Sequence, residues 1–185
     1  MTDWDGILSR EGPAVWRTVY RLLGRRADAE DCFQETFLAA LQAWRDEAEA
    51  GREVANPRAL LHRLATARAI DRLRSRYRRG GREREVDSGR GLDALPGPRR
   101  GPEEHAASAE LASSLRTALA AIPERQAEVF CLHCLDGWSY DEIARHTGAT
   151  VDNVGVLLHR ARGKLRTLLE PAARAWAWPI GKGRD

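Results

Sequence analysis

The 185-residue sequence is poor in aromatics, in cysteine and in long apolar runs, and each shortage excludes a class of protein. No uninterrupted apolar run approaches the ~18 residues of a membrane-spanning helix, so no membrane insertion is expected. The opening MTDWDGILSREG has two acids and no apolar h-region, unlike a secretory signal, and the cytoplasm is the expected compartment. Cys32, Cys131 and Cys134 are an odd number, which argues against a disulfide framework. Alternating runs of β-branched residues are absent, so no strand is expected. There is no Gly-rich phosphate loop, no Gly-x-Ser-x-Gly and no His-Glu-x-x-His. The chain is therefore not expected to be an enzyme or to carry a cofactor.

What the sequence does have is charge, unevenly placed. The net charge is only +3, yet residues 28–50 hold seven acids and one Arg, and residues 58–84 hold ten Arg and two acids. Only two of the 30 basic residues are Lys, a compositional bias that explains Arg over Lys but not the clustering. An acidic helix followed by a basic one fits two different partners, one of them a polyanion.

Periodicity predicts helices throughout. Segment 4–24 is amphipathic, with Ile7, Leu8, Val15, Val19, Leu22 and Leu23 on one side. In 28–45, Phe33, Phe37, Leu41 and Trp44 form a stripe, and Asp28, Glu30 and Asp31 suit the helix start. Asn56-Pro57 opens a third helix, with Leu61, Ala65, Ala69 and Leu73 inward and Arg63, Arg68, Arg72, Arg74 and Arg76 on the other side. Residues 80–105 carry nine Gly or Pro and no apolar period, which reads as a mobile linker. Order returns at Ala106, with Leu111, Leu115, Leu119 and Ile122 on one helix and another from Pro123 to Leu135. Asp136-Gly137 is a turn. Ser139 and Glu142 then form a capping box, Gly148 makes a turn, and Thr150 caps a last helix that Pro171 follows. Its buried stripe is Val154, Leu158, Ala161, Leu165 and Leu168. The expectation is an all-α chain of two small domains, 1–79 and 106–170, joined by a flexible linker and followed by a tail, 171–185.

Three clusters carry candidate chemistry. Cys131 and Cys134 with His133 and His146 invite a zinc reading, but a structural site needs four converging ligands and His133 points elsewhere. The two cysteines read as small buried hydrophobes. Asp28, Asp31 and Glu35 could hold a divalent metal, yet the same residues suit a capped, solvated face, and no metal is expected. The arginines of 63–84 suit phosphates, and 139–168 has the outline of a helix-turn-helix whose second helix enters a major groove.

Three stretches then resemble a known family: DAEDCFQETFLAALQAW (28–44), PRALLHRLATARAIDRLRSRYRR (57–79) and LAAIPERQAEVFCLHCLDGWSYDEIARHTGATVDNVGVLLHRARGKLRTLL (119–169). In order and spacing they resemble bacterial sigma-70-type RNA polymerase sigma factors, nearest to the extracytoplasmic-function group, which keeps only regions 2 and 4. The resemblance implies that Asp31, Gln34, Glu35, Phe37 and Leu38 dock on the β′ clamp helices of core polymerase. It implies that residues 60–79 melt the −10 element, with Arg63, Arg68, Arg72, Arg74 and Arg76 on the DNA backbone. It also implies that region 4 binds the −35 element and the β flap, and that an anti-sigma factor is a partner.

The sequence departs from the family pattern twice. Ala67 stands where many members have Asn, and Leu60 or His62 where an aromatic is expected, so −10 preference is expected to be relaxed. In the second helix, Gly155 and Leu157 replace basic residues. With Val154, Leu158 and Ala161 inward, the outward set is Asp152, Asn153, Val156, His159, Arg160 and Gly163. Thr150 sits at the front edge. Asn153 can pair with adenine, Val156 can pack on a thymine methyl, and Arg160 and Arg162 can hold phosphates. The competing reading is a stand-alone helix-turn-helix regulator with an N-terminal sensor or dimerisation module. A metal-dependent hydrolase finds no carboxylate and His cluster to work with.

Overall fold

Local signals set the ends of the first three helices. The structure, a computed structural model, describes residues 3–54, 56–79 and 102–175, without the side chains of 102–107 and 171–175. Helix α1 (Trp4–Leu23) starts where Asp3 Oδ1 accepts from the Gly6 N–H at 2.9 Å. It ends at Gly24, whose φ of 75° is open to glycine at no steric cost. The chain reverses into α2 (Arg26–Glu49). Asn56 then caps α3 (Pro57–Arg78), its side chain accepting from the Ala59 N–H at 3.0 Å, with Pro57 in the first turn.

These three helices pack through small residues. The deepest line on α2 is Ala29, Cys32, Thr36 and Ala40, one step aside from the aromatic stripe read from the sequence. Thr36 is tolerated there because its hydroxyl donates to the Cys32 carbonyl at 2.7 Å. The aromatics flank this line half-buried: Phe33 meets Trp16 and Phe37, and Trp44 meets Trp4 edge-on at 4.9 Å. Opposite α2 stand Val15, Val19 and Leu22 of α1 and Leu61, Ala65, Ala69 and Leu73 of α3, all buried as the periodicity predicts. Leu8 is exposed instead.

The second group comprises α4 (Pro102–Ala121), α5 (Glu124–Phe130), α6 (Tyr140–Thr147) and α7 (Val151–Ala175). Helix α4 begins four residues before the expected return of order; the rest of the linker, 80–101, and the Trp176 and Trp178 tail lie outside the described residues. Helix α5 runs into a single π turn, Cys131–Leu135. That wider winding separates the two cysteines: Cys131 is buried, whereas Cys134 is exposed, contrary to the pair of buried hydrophobes expected. Helix α7 runs past Pro171 to Ala175 rather than ending before it; the φ that proline fixes is itself helical, so the winding continues with one backbone hydrogen bond lost. Leu168 is exposed and leaves the stripe at Leu165.

The regular structure of the described residues is helical, as the composition predicts. The two groups also share a core. Leu119, Ile122 and Leu165 join the same buried cluster as Leu22 and Leu73, and Ala59 of α3 joins the cluster beneath α6 and α7. Polar contacts reinforce the seam. Thr18 Oγ1 donates to Asp136 Oδ1 at 2.8 Å, Arg21 to the Leu135 carbonyl at 2.7 Å, and Arg116 to the Arg21 carbonyl at 3.1 Å.

Candidate nucleic-acid interface

The helix-turn-helix is built from its caps. Ser139 Oγ accepts from the Glu142 N–H at 3.2 Å while Glu142 Oε2 accepts from the Ser139 N–H at 2.8 Å. The Ser139 N–H and then the Ser139 hydroxyl, both donating to Oε2, hold the Glu142 carboxyl below its ordinary pKa. Gly148, with φ of 68°, turns the chain. Thr150 Oγ1 then accepts from the Asn153 N–H at 3.2 Å and starts α7. Val154 and Leu158 anchor α7 against Ile143, Leu132 and Trp138.

That anchoring fixes which side of α7 faces outward. Asp152, Asn153, Val156, His159, Arg160 and Gly163 are exposed, as the helical spacing predicts, and so are Thr150 and Arg162. The front half of this face holds an acid, an amide and an apolar side chain; behind it Arg160 and Lys164 are exposed along one edge and Arg162 and Arg166 along the other. Its chemistry is base contact in front and phosphate contact behind. Arg162 Nη2 lies 3.9 Å from Cys134 Sγ, a weak contact that leaves the guanidinium exposed.

The arginines of α3 are not brought onto one face. Arg63 and Arg74 lie about three turns apart on the same side and point to the second group of helices. Arg74 donates to the Ile122 carbonyl at 3.0 Å, and Arg63 acts electrostatically on Glu128 and His146. Arg68, Arg72 and Arg76 follow steps of four and face α2. Arg72 binds Glu35 at 2.7 Å, Arg76 reaches Asp28 at 3.5 Å, and Arg68 sits near Cys32. The periodicity pointed them all away from the core but did not separate these two sets.

On α2, Asp31, Gln34, Glu35 and Leu38 are exposed, and Leu38 is 66% accessible, the most exposed large apolar side chain described. Phe37 is half-buried against Phe33 and contributes an edge only. Glu35 is held by Arg72, so the outward line is Asp31, Gln34 and Leu38.

His62, one of the two residues standing where an aromatic was expected, is 4% exposed. Its ring lies 6.1 Å from that of Trp138, its Nδ1 lies 3.6 Å from Asp136 Oδ2, and neither ring nitrogen makes a hydrogen bond. The sequence offered only one hint of this cluster, an aromatic directly after the Asp136-Gly137 turn. Burial raises the Cys32 thiol to about 11 and the Cys131 thiol well above its ordinary value, which makes both poor nucleophiles. His146 is lowered by burial first, then by Arg145 and Arg63.

Comparison with known proteins agrees with this layout. The family model for sigma-70 region 2 matches residues 7–79, and that for sigma-70 region 4 matches residues 112–165. The ECF RNA polymerase sigma factor SigE of Mycolicibacterium smegmatis is 30% identical over 169 residues, 91% of this chain and 62% of SigE. SigG of Mycobacterium tuberculosis is 33% identical over 171 residues, 83% of this chain and 45% of SigG. SigW of Bacillus subtilis is 28% identical over 158 residues, 84% of this chain and 82% of SigW. The chain thus spans about half to three fifths of the first two relatives. A solved structure of the sigma factor RpoE with the anti-sigma factor NepR, from Bartonella quintana, superposes with a TM-score of 0.52 at 22% identity. The match covers 92% of this chain and 98% of RpoE, and it shows the shared fold.

Proposed function

The chain belongs to the bacterial sigma-70 family of RNA polymerase sigma factors, in its extracytoplasmic-function group, and on that premise we propose that it binds core RNA polymerase and directs it to promoters. It is not itself the enzyme: it supplies recognition and strand opening, and the polymerase does the chemistry. The observation that carries this reading is the exposed face of α7, capped, anchored and aimed outward, on the second of two sigma-70 regions in family order.

The work divides along the chain, with region 2 in 1–79, a linker in 80–105 and region 4 in 106–170. Asp31, Gln34 and Leu38 dock on core, an acidic and apolar line suited to a basic coiled coil such as the β′ clamp helices. On α3, Arg72 and Arg76 exchange the carboxylates of α2 for phosphates of the −10 region, joined there by Arg68, while Arg63 and Arg74 become available as region 4 moves away. Arg160 and Arg162 hold phosphates flanking the −35 element, and Asn153 reads adenine. Region 4 also meets the β flap. The site of action is the cytoplasm. An anti-sigma factor is a partner, as RpoE was crystallised with NepR.

Binding measurements test the assignment. Labelled full-length chain titrated with core polymerase should give a stable complex, while the chain alone should bind duplex DNA weakly. Tight duplex binding by the free chain, with no complex on core, would instead establish a stand-alone regulator.

A further inference from the structure

The front half of α7 is not simply a recognition helix that has lost its basic residues. Between α6 and α7 lies an open depression of about 500 Å³, lined by Tyr140, Val151, Gly155 and Val156 together with the polar Asp152, His159 and Arg160. Gly155 makes it. A Cβ at 155 would stand 3.7 Å from Tyr140 Cε2, so any larger side chain would cover the ring. Val151 and Val156, 41% and 45% exposed, form apolar walls.

The floor is held in place. The Tyr140 ring meets His133 edge-on at 5.0 Å, and His133 Nδ1 lies 2.7 Å from the Trp138 carbonyl. A carbonyl only accepts, so Nδ1 carries the proton, and the imidazole is locked in orientation. His133 sits in the π turn, whose extra residue places it against Tyr140. A glycine inside a helix costs roughly 0.5–1 kcal/mol relative to alanine, so an open socket is maintained here at the expense of helix stability.

We propose that this socket receives the C5-methyl edge of a thymine, making Gly155 and Tyr140 specificity-determining residues and His133 a positioning residue. The proposal rests on the promoter-binding reading. The occupant follows from what a duplex offers. Arg160 lines the depression, and Arg162 and Lys164 stand exposed on the two flanks of the helix beyond it, so its partner is an anion. The thymine methyl is the one apolar group that the major groove displays. Asn153 lies three residues before Val156, a rise of about 4.5 Å, close to one base step, so an adenine contact and a methyl contact fit neighbouring pairs.

The test removes only the methyl group. Run-off assays with core polymerase and the full chain first identify a promoter fragment; each thymine of its upstream element is then replaced in turn by deoxyuridine. One replacement should weaken holoenzyme binding about fourfold, the worth of a buried methyl-sized group. In G155L, which fills the socket, that thymine–uracil ratio should fall to about one. G155A should raise the thermal midpoint and reduce the ratio partly, so loss of discrimination cannot be laid to misfolding. A duplex with no thymine that matters, or a ratio unchanged in G155L, overturns the socket. No transcript and no core complex overturns the promoter reading itself, and the socket with it.

Discussion

His146 is where the chemistry of single residues becomes measurable. Its ring packs edge-on against Trp138 at 5.2 Å, and its pKa lies below the ordinary 6.5 through burial, Arg145 and Arg63, with Glu142 opposing. A histidine whose folded pKa is lowered takes up protons more readily when unfolded. Its contribution to stability is therefore full above about 6.5 and is lost as pH falls toward the folded value. Urea denaturation between pH 7.5 and 5.5 should show stability falling with acid, less steeply in H146F, which keeps the ring; identical slopes would refute this origin. The sequence allowed His146 as a metal ligand with Cys131, Cys134 and His133. Among the described residues no such cluster of ligands forms. The π turn that parts the two cysteines leaves no periodic trace in the sequence, because one extra residue shifts phase without changing composition.

Elements differ in how much of them periodicity reveals. The faces of α7 and α3 that enter the core were legible because Val154, Leu158 and Ala161, and Leu61, Ala65 and Ala69, keep strict helical steps. Helix α2 was misjudged by a step. Its bulkiest apolar residues drew the eye, but close approach of three helices selects Ala29, Cys32 and Ala40 for the centre and leaves the rings at the flanks. The same crowding pushes Leu38 outward beside Asp31 and Gln34. Such a side chain contributes little to folding. L38D should leave the thermal midpoint within about 1 °C. Its affinity for core polymerase should drop tenfold or more, about 1.4 kcal/mol or above, when titrated by fluorescence anisotropy. Unaltered affinity would remove Leu38 from the docking surface.

The whole molecule holds what no local pattern reveals: its two halves are latched together. Thr18, His62 and Asp136 meet from three distant segments, Arg74 bonds the Ile122 carbonyl, and Trp138 covers His62 on the helix proposed to open DNA. Contacts between residues up to 118 apart carry no sequence period, so the docking could not be read in advance. With His62 covered, the proposed function requires region 4 to leave α3 before that face meets a promoter. D136A should lower stability by about 1–3 kcal/mol, through the lost Thr18 hydrogen bond, and enlarge the radius of gyration in small-angle scattering. A more stable, equally compact variant would mean that burying the Asp136 charge outweighs its bond. The central claim, that these helices give a polymerase its promoters, is tested most directly by run-off transcription. Core polymerase alone should yield no discrete transcript from a library of promoter-sized fragments, and adding the chain should yield defined start sites preceded by shared upstream elements. Transcripts unchanged by the chain, or start sites with no common element, would contradict it.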